Sequence, residues 1–442
     1  MTRTTPNAKM EREYAATPFR LGHCRQLMAE ILRTPSMPAD QQIARFFANR
    51  RYLGSHDRGF IAESSYAVLR GIIRLRWILG SSALRPDWEA SLLIAASLVE
   101  RHEPFDQRAL AEALDIRPDQ FEDLRERMHQ APERIAELDE PERTALRCSV
   151  PAWFAARVME QSGAEFGGAL LESLGHQAPI VLRANTLRTD RKQLAAALSG
   201  RGIRSVPGRF APDALLLERR MNANSIPEFK SGWFEMQDEG SQMLSVMLDP
   251  HPNWNVFDAC AGAGGKTLHM AAIMRGRGAV VAHDTHTRRL EELRPRMRRS
   301  GAQNVRMMAH DRYLADRDTL AGSFNAVMID APCTGAGVFR RNPGSWLTFN
   351  EGMVERLCAE QAGILLEYSG LVKPGGLLLY ATCSLLREEN ELQVERFIAG
   401  NPGWSIERAA LPETMTTAEG YLRCYPHIHG TDGFFGALLR KI

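Results

Sequence analysis

The 442-residue chain predicts an α/β fold: a doubly wound, mostly parallel sheet, preceded by a small α/β subdomain and an N-terminal helical part. Three observations predict it. From Met236 onward, short apolar runs alternate with amphipathic stretches, the pattern of β-α units in a parallel sheet. Before about residue 130, apolar residues recur at spacings of three and four, as on one face of a helix. Between these regions, brief strand-like runs surround one short helical stretch. The implied domains are 1–149 (helical), 150–235 (small α/β) and 236–442 (sheet domain).

Residues Ala16 to about Gln130 read as helical. Asp57–Leu79 spaces its apolar residues along one face, and Ser91–Glu100 and Gln107–Leu114 continue the pattern. The texture changes near Val150–Pro151. Pro179–Leu187 then reads as a strand, Arg191–Ser199 as a helix, and Ile203–Val206 and Ala214–Glu218 as short strands. In the last region Val256–Ala259, Ala279–Asp284, Val305–Ala309, Ala326–Asp330 and Leu377–Ala381 read as strands. Thr267–Met274, Thr287–Ser300, Val354–Leu371 and Glu389–Ile398 read as the helices between and after them. Tyr421–Arg440, with Gly430-Thr-Asp-Gly433 inside it, suggests a terminal hairpin.

Composition narrows the classes. Apolar residues make up 44% and charged residues 24%, with a formal net charge of +2, as in an ordinary globular protein. No run of 18 apolar residues suggests a membrane span, and Met1–Arg20 lacks the apolar core of a secretory signal. A cytoplasmic monomer is the expectation. The seven cysteines form no C-x-x-C pair, so neither a zinc site nor a disulfide framework is expected.

Open α/β sheets bind ligands at the carboxyl ends of their strands. The first such end is Asp258-Ala-Cys-Ala-Gly-Ala-Gly-Gly-Lys-Thr267, small residues that let the backbone approach a ligand before a helix N-terminus. It does not match G-x-G-x-x-G. The next ends carry Asp284, suited to ribose hydroxyls, and Asp311, suited to an adenine amino group. The fourth reads Asp330-Ala-Pro-Cys333 and the fifth Thr382-Cys383-Ser384. A glycine turn with two acids fits S-adenosyl-L-methionine as well as a nicotinamide nucleotide. Two cysteines at the same edge, beside an acid, favour covalent chemistry. Carbon 5 of cytosine is a poor nucleophile until a thiolate adds at carbon 6, and cysteine suits that addition. Asp330 could bind the base edge. Spacing alone does not say which cysteine attacks; the Pro-Cys logic of DNA cytosine methyltransferases would choose Cys333.

The motifs DACAGAGGKT (Asp258–Thr267), DAPCTGAGVFRRNP (Asp330–Pro343) and YATCSLLREENE (Tyr380–Glu391) resemble those of the Sun-type RNA cytosine-5 methyltransferases. RANTLR (Arg183–Arg188), QDEGSQ (Gln237–Gln242) and TDGFF (Thr431–Phe435) support the resemblance, which covers about 150–442. Ala263 departs from the usual proline of the first motif. The helical part is more loosely similar to NusB-type RNA-binding domains. The resemblance implies a Rossmann-like class I methyltransferase domain and, in place of the small α/β subdomain, an RRM-like one. It implies Cys383 as nucleophile and Cys333 as an aid to product release. It implies cofactor contacts from Cys260, Ala261, Gly262, Ala263, Gly264, Gly265, Lys266, Asp284, Asp311 and Asp330. The cofactor is then S-adenosyl-L-methionine and the partner RNA, ribosomal before transfer RNA. A catalytically silent RNA-binding scaffold is the rival reading. The arginines Arg288, Arg289, Arg294, Arg296, Arg298 and Arg299 read as a solvated helix face, and Arg340 and Arg341 as candidates for phosphate contacts.

Overall fold

The computed structural model describes residues 16–80, 85–102, 105–219, 221 and 223–442; the polar stretch 1–15 lies outside them. Two compact units are formed. One is built from the chain up to Gln177 together with Phe339–Asn350, the other from Ala178–Val338 and Glu351–Ile442.

The first unit is helical throughout its described residues. Its helices are Pro18–Arg33, Ala39–Ala48, Ser55–Leu79, Pro86–Glu100, Gln107–Leu114, Pro118–Ala136, Glu142–Cys148, Ala152–Ser162 and Ala164–Ser173. The 25-residue helix Ser55–Leu79 buries Phe60, Ile61, Val68, Leu69, Ile72, Leu75 and Leu79, the stripe its spacing predicts. Gly80 ends it in the left-handed conformation, at φ 65°. The change of texture at Val150–Pro151 coincides with a helix-to-helix turn. Ser149 adopts φ 56° after one helix, and Pro151 opens the next. Segment Phe339–Asn350 adds Phe339, Trp346 and Phe349 to Trp153 and Phe154 in one aromatic cluster, with ring centroids 4.5–5.8 Å apart. Each ring buried there contributes about 1.5–3 kcal/mol.

The second unit holds two sheets. The smaller is antiparallel, in the order β2-β3-β1-β4, from β1 (Ile180–Ala184), β2 (Ser205–Pro207), β3 (Ala214–Leu217) and β4 (Phe234–Met236). Helix Arg191–Ser199 lies where its spacing predicts. The larger sheet runs β10-β12-β9-β8-β5-β6-β7, with β11 paired to β12. Its strands are β5 (Asn255–Asp258), β6 (Ala279–His283), β7 (Val305–Met308), β8 (Phe324–Asp330), β9 (Val372–Thr382), β10 (Trp404–Ile406), β11 (Leu422–Cys424) and β12 (Phe434–Lys441). Strands β5 to β9 are parallel, and β10 to β12 join antiparallel. The winding reverses between β5 and β8, the switch point at which such sheets take ligands.

Two expectations change. Strand β9 begins five residues earlier than Leu377, because Lys373-Pro-Gly-Gly376 is absorbed as an irregularity in its pairing with β8. The terminal segment is not a tight hairpin. Pro426 opens a short helix and Gly430, at φ 74°, closes it, so a helical turn links β11 to β12. Helix His310–Leu320 and strands β4 and β10 were not anticipated.

Candidate active site

The carboxyl ends of β5, β6, β8 and β9 open on a cavity of about 600 Å³. It is lined by the turn Cys260, Ala261, Gly262, Ala263, Gly265 and Lys266, by Asp258, Asp284, Asp330, Cys333 and Cys383, and by Gln237 and Ser241. The helix Glu351–Ser369 adds Glu360, Ile364, Glu367 and Tyr368, a stripe at helical spacing.

The glycine turn is shaped by what surrounds it. Gly264 adopts φ 83°, and a Cβ there would lie 2.1 Å from Leu293 Cδ1, so it cannot carry a side chain. Gly262, at φ 52°, has nothing within 4 Å of a would-be Cβ, which leaves its cavity side open to a ligand. Asp284 fixes the same turn: Gly262 N donates to its Oδ2 at 2.8 Å and His286 N to its Oδ1 at 2.7 Å. Behind the turn stand two arginines. Arg183 Nη1 donates to Gly265 O at 2.7 Å, and Arg296 Nη1 to Ala263 O at 2.6 Å. Arg183 also binds Gln237, while Arg296 and Arg299 pair with the buried carboxylate of Glu235. Arg183 and Glu235 sit opposite each other on β1 and β4. The small sheet thus supplies the back wall of the turn.

Lys266 Nζ reaches Asp330 Oδ2 at 2.6 Å. Burial pulls the ammonium down, but Asp330 outweighs that and leaves it above the usual lysine range, with Cys383 acting in the same direction. Asp258 accepts from Thr267 Oγ1 at 2.6 Å. Burial pushes its carboxyl up to about 7, the Thr267 bond opposes this, and Asp330 adds to it. Among the described residues its Oδ1 has no hydrogen-bond partner.

The two cysteines meet, with Sγ atoms 3.4 Å apart. The contact with Cys383, followed by burial, drives the Cys333 thiol well above the usual range, and Glu389 adds to the effect. Cys333 is therefore held protonated. The backbone around Cys383 is tight: Gly337 N donates to Cys383 O at 2.9 Å, and Gly433 N to Gly337 O at 2.9 Å. A Cβ at Gly337 would lie 2.3 Å from Gly433 O, which explains glycine in both motifs.

Of the residues singled out in the sequence, all three of Asp330, Cys333 and Cys383 line this cavity with the glycine turn and Asp284. Asp311 does not. The chain turns into a helix at His310, whose side chain lines the cavity, and Asp311 points outward as an exposed first-turn residue. The arginine-rich helix is not merely a solvated face: Arg296 and Arg299 are tied to Glu235, and Arg289 lines the cavity. Arg340 is only 6% exposed, so its guanidinium is not displayed for phosphate, whereas Arg341 is exposed. Glu235, Glu360, Glu367 and Glu389 had no assigned role in the sequence.

The cavity's charges fit a cation. The carboxylates of Asp284, Asp330, Glu360 and Glu367 outnumber Lys266 and Arg289, and the glycine turn leaves its backbone open beside them. A glycine-rich turn at the switch point of a doubly wound sheet, lined with acids for a sulfonium nucleoside, defines an S-adenosylmethionine-dependent methyltransferase of the Rossmann-like class I fold. Residues 245–440 match the family model described as 16S rRNA methyltransferase RsmB/F, and residues 150–224 match its ferredoxin-like domain. The chain is 30% identical to the ribosomal RNA small subunit methyltransferase B of Sodalis glossinidius, over 88% of this chain and 91% of that protein. It belongs to the RsmB/F family. Among solved structures, PH0851 aligns at a TM-score of 0.80 with 26% identity, over 96% of this chain and 99% of the other. A methyltransferase homologue from Pyrococcus horikoshii aligns at 0.59 with 29% identity, over 68% and 98%. Among the described residues no helix is long and apolar enough to cross a membrane.

Proposed function

We propose that this RNA methyltransferase forms 5-methylcytosine in ribosomal RNA, with Cys383 as covalent nucleophile and Cys333 as the group that lets the product leave. The observation that carries this reading is the thiol pair itself: two Sγ atoms 3.4 Å apart in the cofactor cavity, one of them held protonated. S-adenosylmethionine supplies the methyl group on a sulfonium, to be taken by carbon 5 of the activated base. The glycine turn and Asp284 hold the cofactor, with Asp284 accepting from ribose hydroxyls.

The Cys383 thiolate adds to carbon 6 of the cytosine, and the electron pair moves toward nitrogen 3. Asp330 binds the base edge and steadies that shift. Lys266 is kept cationic by its contact with Asp330. After methylation carbon 5 carries both a methyl group and a proton. Removal of that proton re-forms the double bond and expels Cys383. Water takes up the carbon 5 proton, and Cys333, protonated and in contact with Cys383, serves the release by donating a hydrogen bond to the departing thiolate.

The relatives' names favour ribosomal RNA over transfer RNA. The helical unit, loosely NusB-like in sequence, and the small sheet would recognise RNA, and the target base must be unpaired or flipped to reach the thiol. The test uses in-vitro-transcribed 16S RNA. Cys333→Ala should attack and methylate but stall, leaving RNA attached through denaturing electrophoresis. Cys383→Ser and the double variant should trap nothing. Trapping by Cys383→Ser with an inert Cys333→Ala would reverse the roles.

A further inference from the structure

Glu389 is fully buried, and nothing in the mechanism above uses it. Its surroundings are specific. Thr334 N donates to Oε1 at 2.8 Å, and Thr334 Oγ1 to Oε2 at 2.6 Å. Ser384 Oγ donates to the same Oε2. Gln361 Nε2 donates to Oε1 at 3.0 Å and also to Pro332 O at 2.9 Å. Thr334 follows Cys333, and Ser384 follows Cys383. One carboxylate therefore binds the residue after each cysteine, and Gln361 anchors the residue before Cys333. Tyr380 OH holds the backbone of Glu389 itself, through Glu389 O at 2.7 Å. Asn390 closes the arrangement, accepting from Thr382 Oγ1 and donating to Ser384 O.

A buried carboxylate is costly unless its lone pairs are filled. Here four donors fill them, and they come from the two loops that carry the cysteines and from the helix Glu351–Ser369. The burial cost is offset only while both loops stay in place. We propose that Glu389 is a positioning residue that ties the two cysteine loops together and so sets the contact between Cys333 and Cys383. Its charge acts in the same sense, since a fixed anion near Cys333 favours the protonated thiol. The catalytic half of the proposal rests on the cysteine roles given above; the geometric half does not.

The test separates the two halves. Diamide oxidises two neighbouring thiols to a disulfide while its N=N bond is reduced to N–N by the two protons and two electrons. The rate of Cys333–Cys383 disulfide formation, read by peptide mass spectrometry on the full chain without RNA, reports how well the thiols are held together. In Glu389→Ala this rate should fall about tenfold or more, and kcat on transcribed 16S RNA about 10- to 100-fold, as expected for a small misplacement of reacting groups. Binding of S-adenosylmethionine by calorimetry should be unchanged, because Glu389 does not line the cavity. Glu389→Gln keeps the shape and one acceptor oxygen, so pairing should be largely rescued. The pH at which iodoacetamide alkylates Cys333 should move down, because the charge is gone; a purely structural role would not move it. If Glu389→Ala fails to fold, the glutamine variant decides alone: an unchanged alkylation profile overturns the proposal. Unchanged disulfide rate in Glu389→Ala overturns it equally. A slowed disulfide rate in Glu389→Ala, together with a wild type that methylates no cytosine, supports the clamp and removes the proposed function instead.

Discussion

The cofactor turn and the cysteine loops are both held from behind by buried charge, but of opposite sign. At the turn, Arg183 and Arg296 capture the carbonyls of Gly265 and Ala263, with Glu235 as counter-ion to Arg296. At the loops, Glu389 captures a backbone N–H and two hydroxyls. The difference follows from which backbone groups each region must leave free. Cations behind the turn engage its carbonyls and leave its front face to a ligand. The carboxylate behind the loops engages donors and adds negative charge beside Cys333. The supports also differ in origin. The turn leans on the small sheet, through β1 and β4, whereas Glu389 follows β9 in the large sheet's own chain path.

This comparison can be broken or sharpened by substitution. The largest effect belongs to Cys383→Ser, which should lose methyl transfer by about 10³-fold or more, because a hydroxyl is a far weaker nucleophile. Calorimetry should find its S-adenosylmethionine affinity unchanged; a parallel loss would mean that the two regions are one. Arg183→Met comes next. It takes the Arg183 donor away from Gly265 O and from Gln237 Oε1, and the unsatisfied Gln237 oxygen costs roughly 1–3 kcal/mol in stability. Thermal unfolding should show the loss and calorimetry a weaker cofactor affinity, while the diamide rate of the cysteine pair stays as in the wild type. Asp284→Ala should weaken cofactor binding by about 10- to 150-fold, from one charge-assisted hydrogen bond of roughly 1.5–3 kcal/mol. Equal affinity would remove Asp284 from the ribose.

The smallest effect concerns Asp258. Its folded value, about 7, lies above the unbound 3.8, so the native state favours the proton. Stability is then full at low pH and is lost as pH rises through the folded value. Between pH 6 and 7 the loss should be about 1 kcal/mol in cofactor-free protein. Asp258→Asn should remove that slope in urea titrations; a slope equal to the wild type's would show that Asp258 is not its source.

What the sequence disclosed depended on chain proximity. The glycine turn, Asp284, Asp330 and both cysteines stand at the ends of apolar runs, so a strand-end rule collects them. The supports escaped because their partners are remote in sequence. Arg183 meets Gly265 only where the small sheet backs the large one, and Glu389 meets Thr334 only after β8 and β9 have been laid side by side. Within a strand-like run Arg183 reads as a polar interruption, and in LREENE nothing distinguishes Glu389 from Glu388. Asp311 misled for a local reason: a one-residue difference at a helix start turns a side chain from the cavity to solvent. Lys373–Gly376 falls before the strand expected from Leu377, and Gly430 falls inside the expected terminal hairpin. The first tract was carried inside a strand, and the second closed a helix.

The excursion of Phe339–Asn350 bears on how the chain matures. Trp346 and Phe349 complete an aromatic cluster with Phe154 from roughly 190 residues earlier. The aromatic cluster of the helical unit is therefore unfinished when the helices up to Ser173 have been made. It must wait until the peptide has grown past Asn350, and closing so long a loop is slow compared with forming local helices. A chain cut anywhere between Gln177 and Phe339 would strand half of that cluster. The helical unit begins at the front of the chain and is finished from its middle.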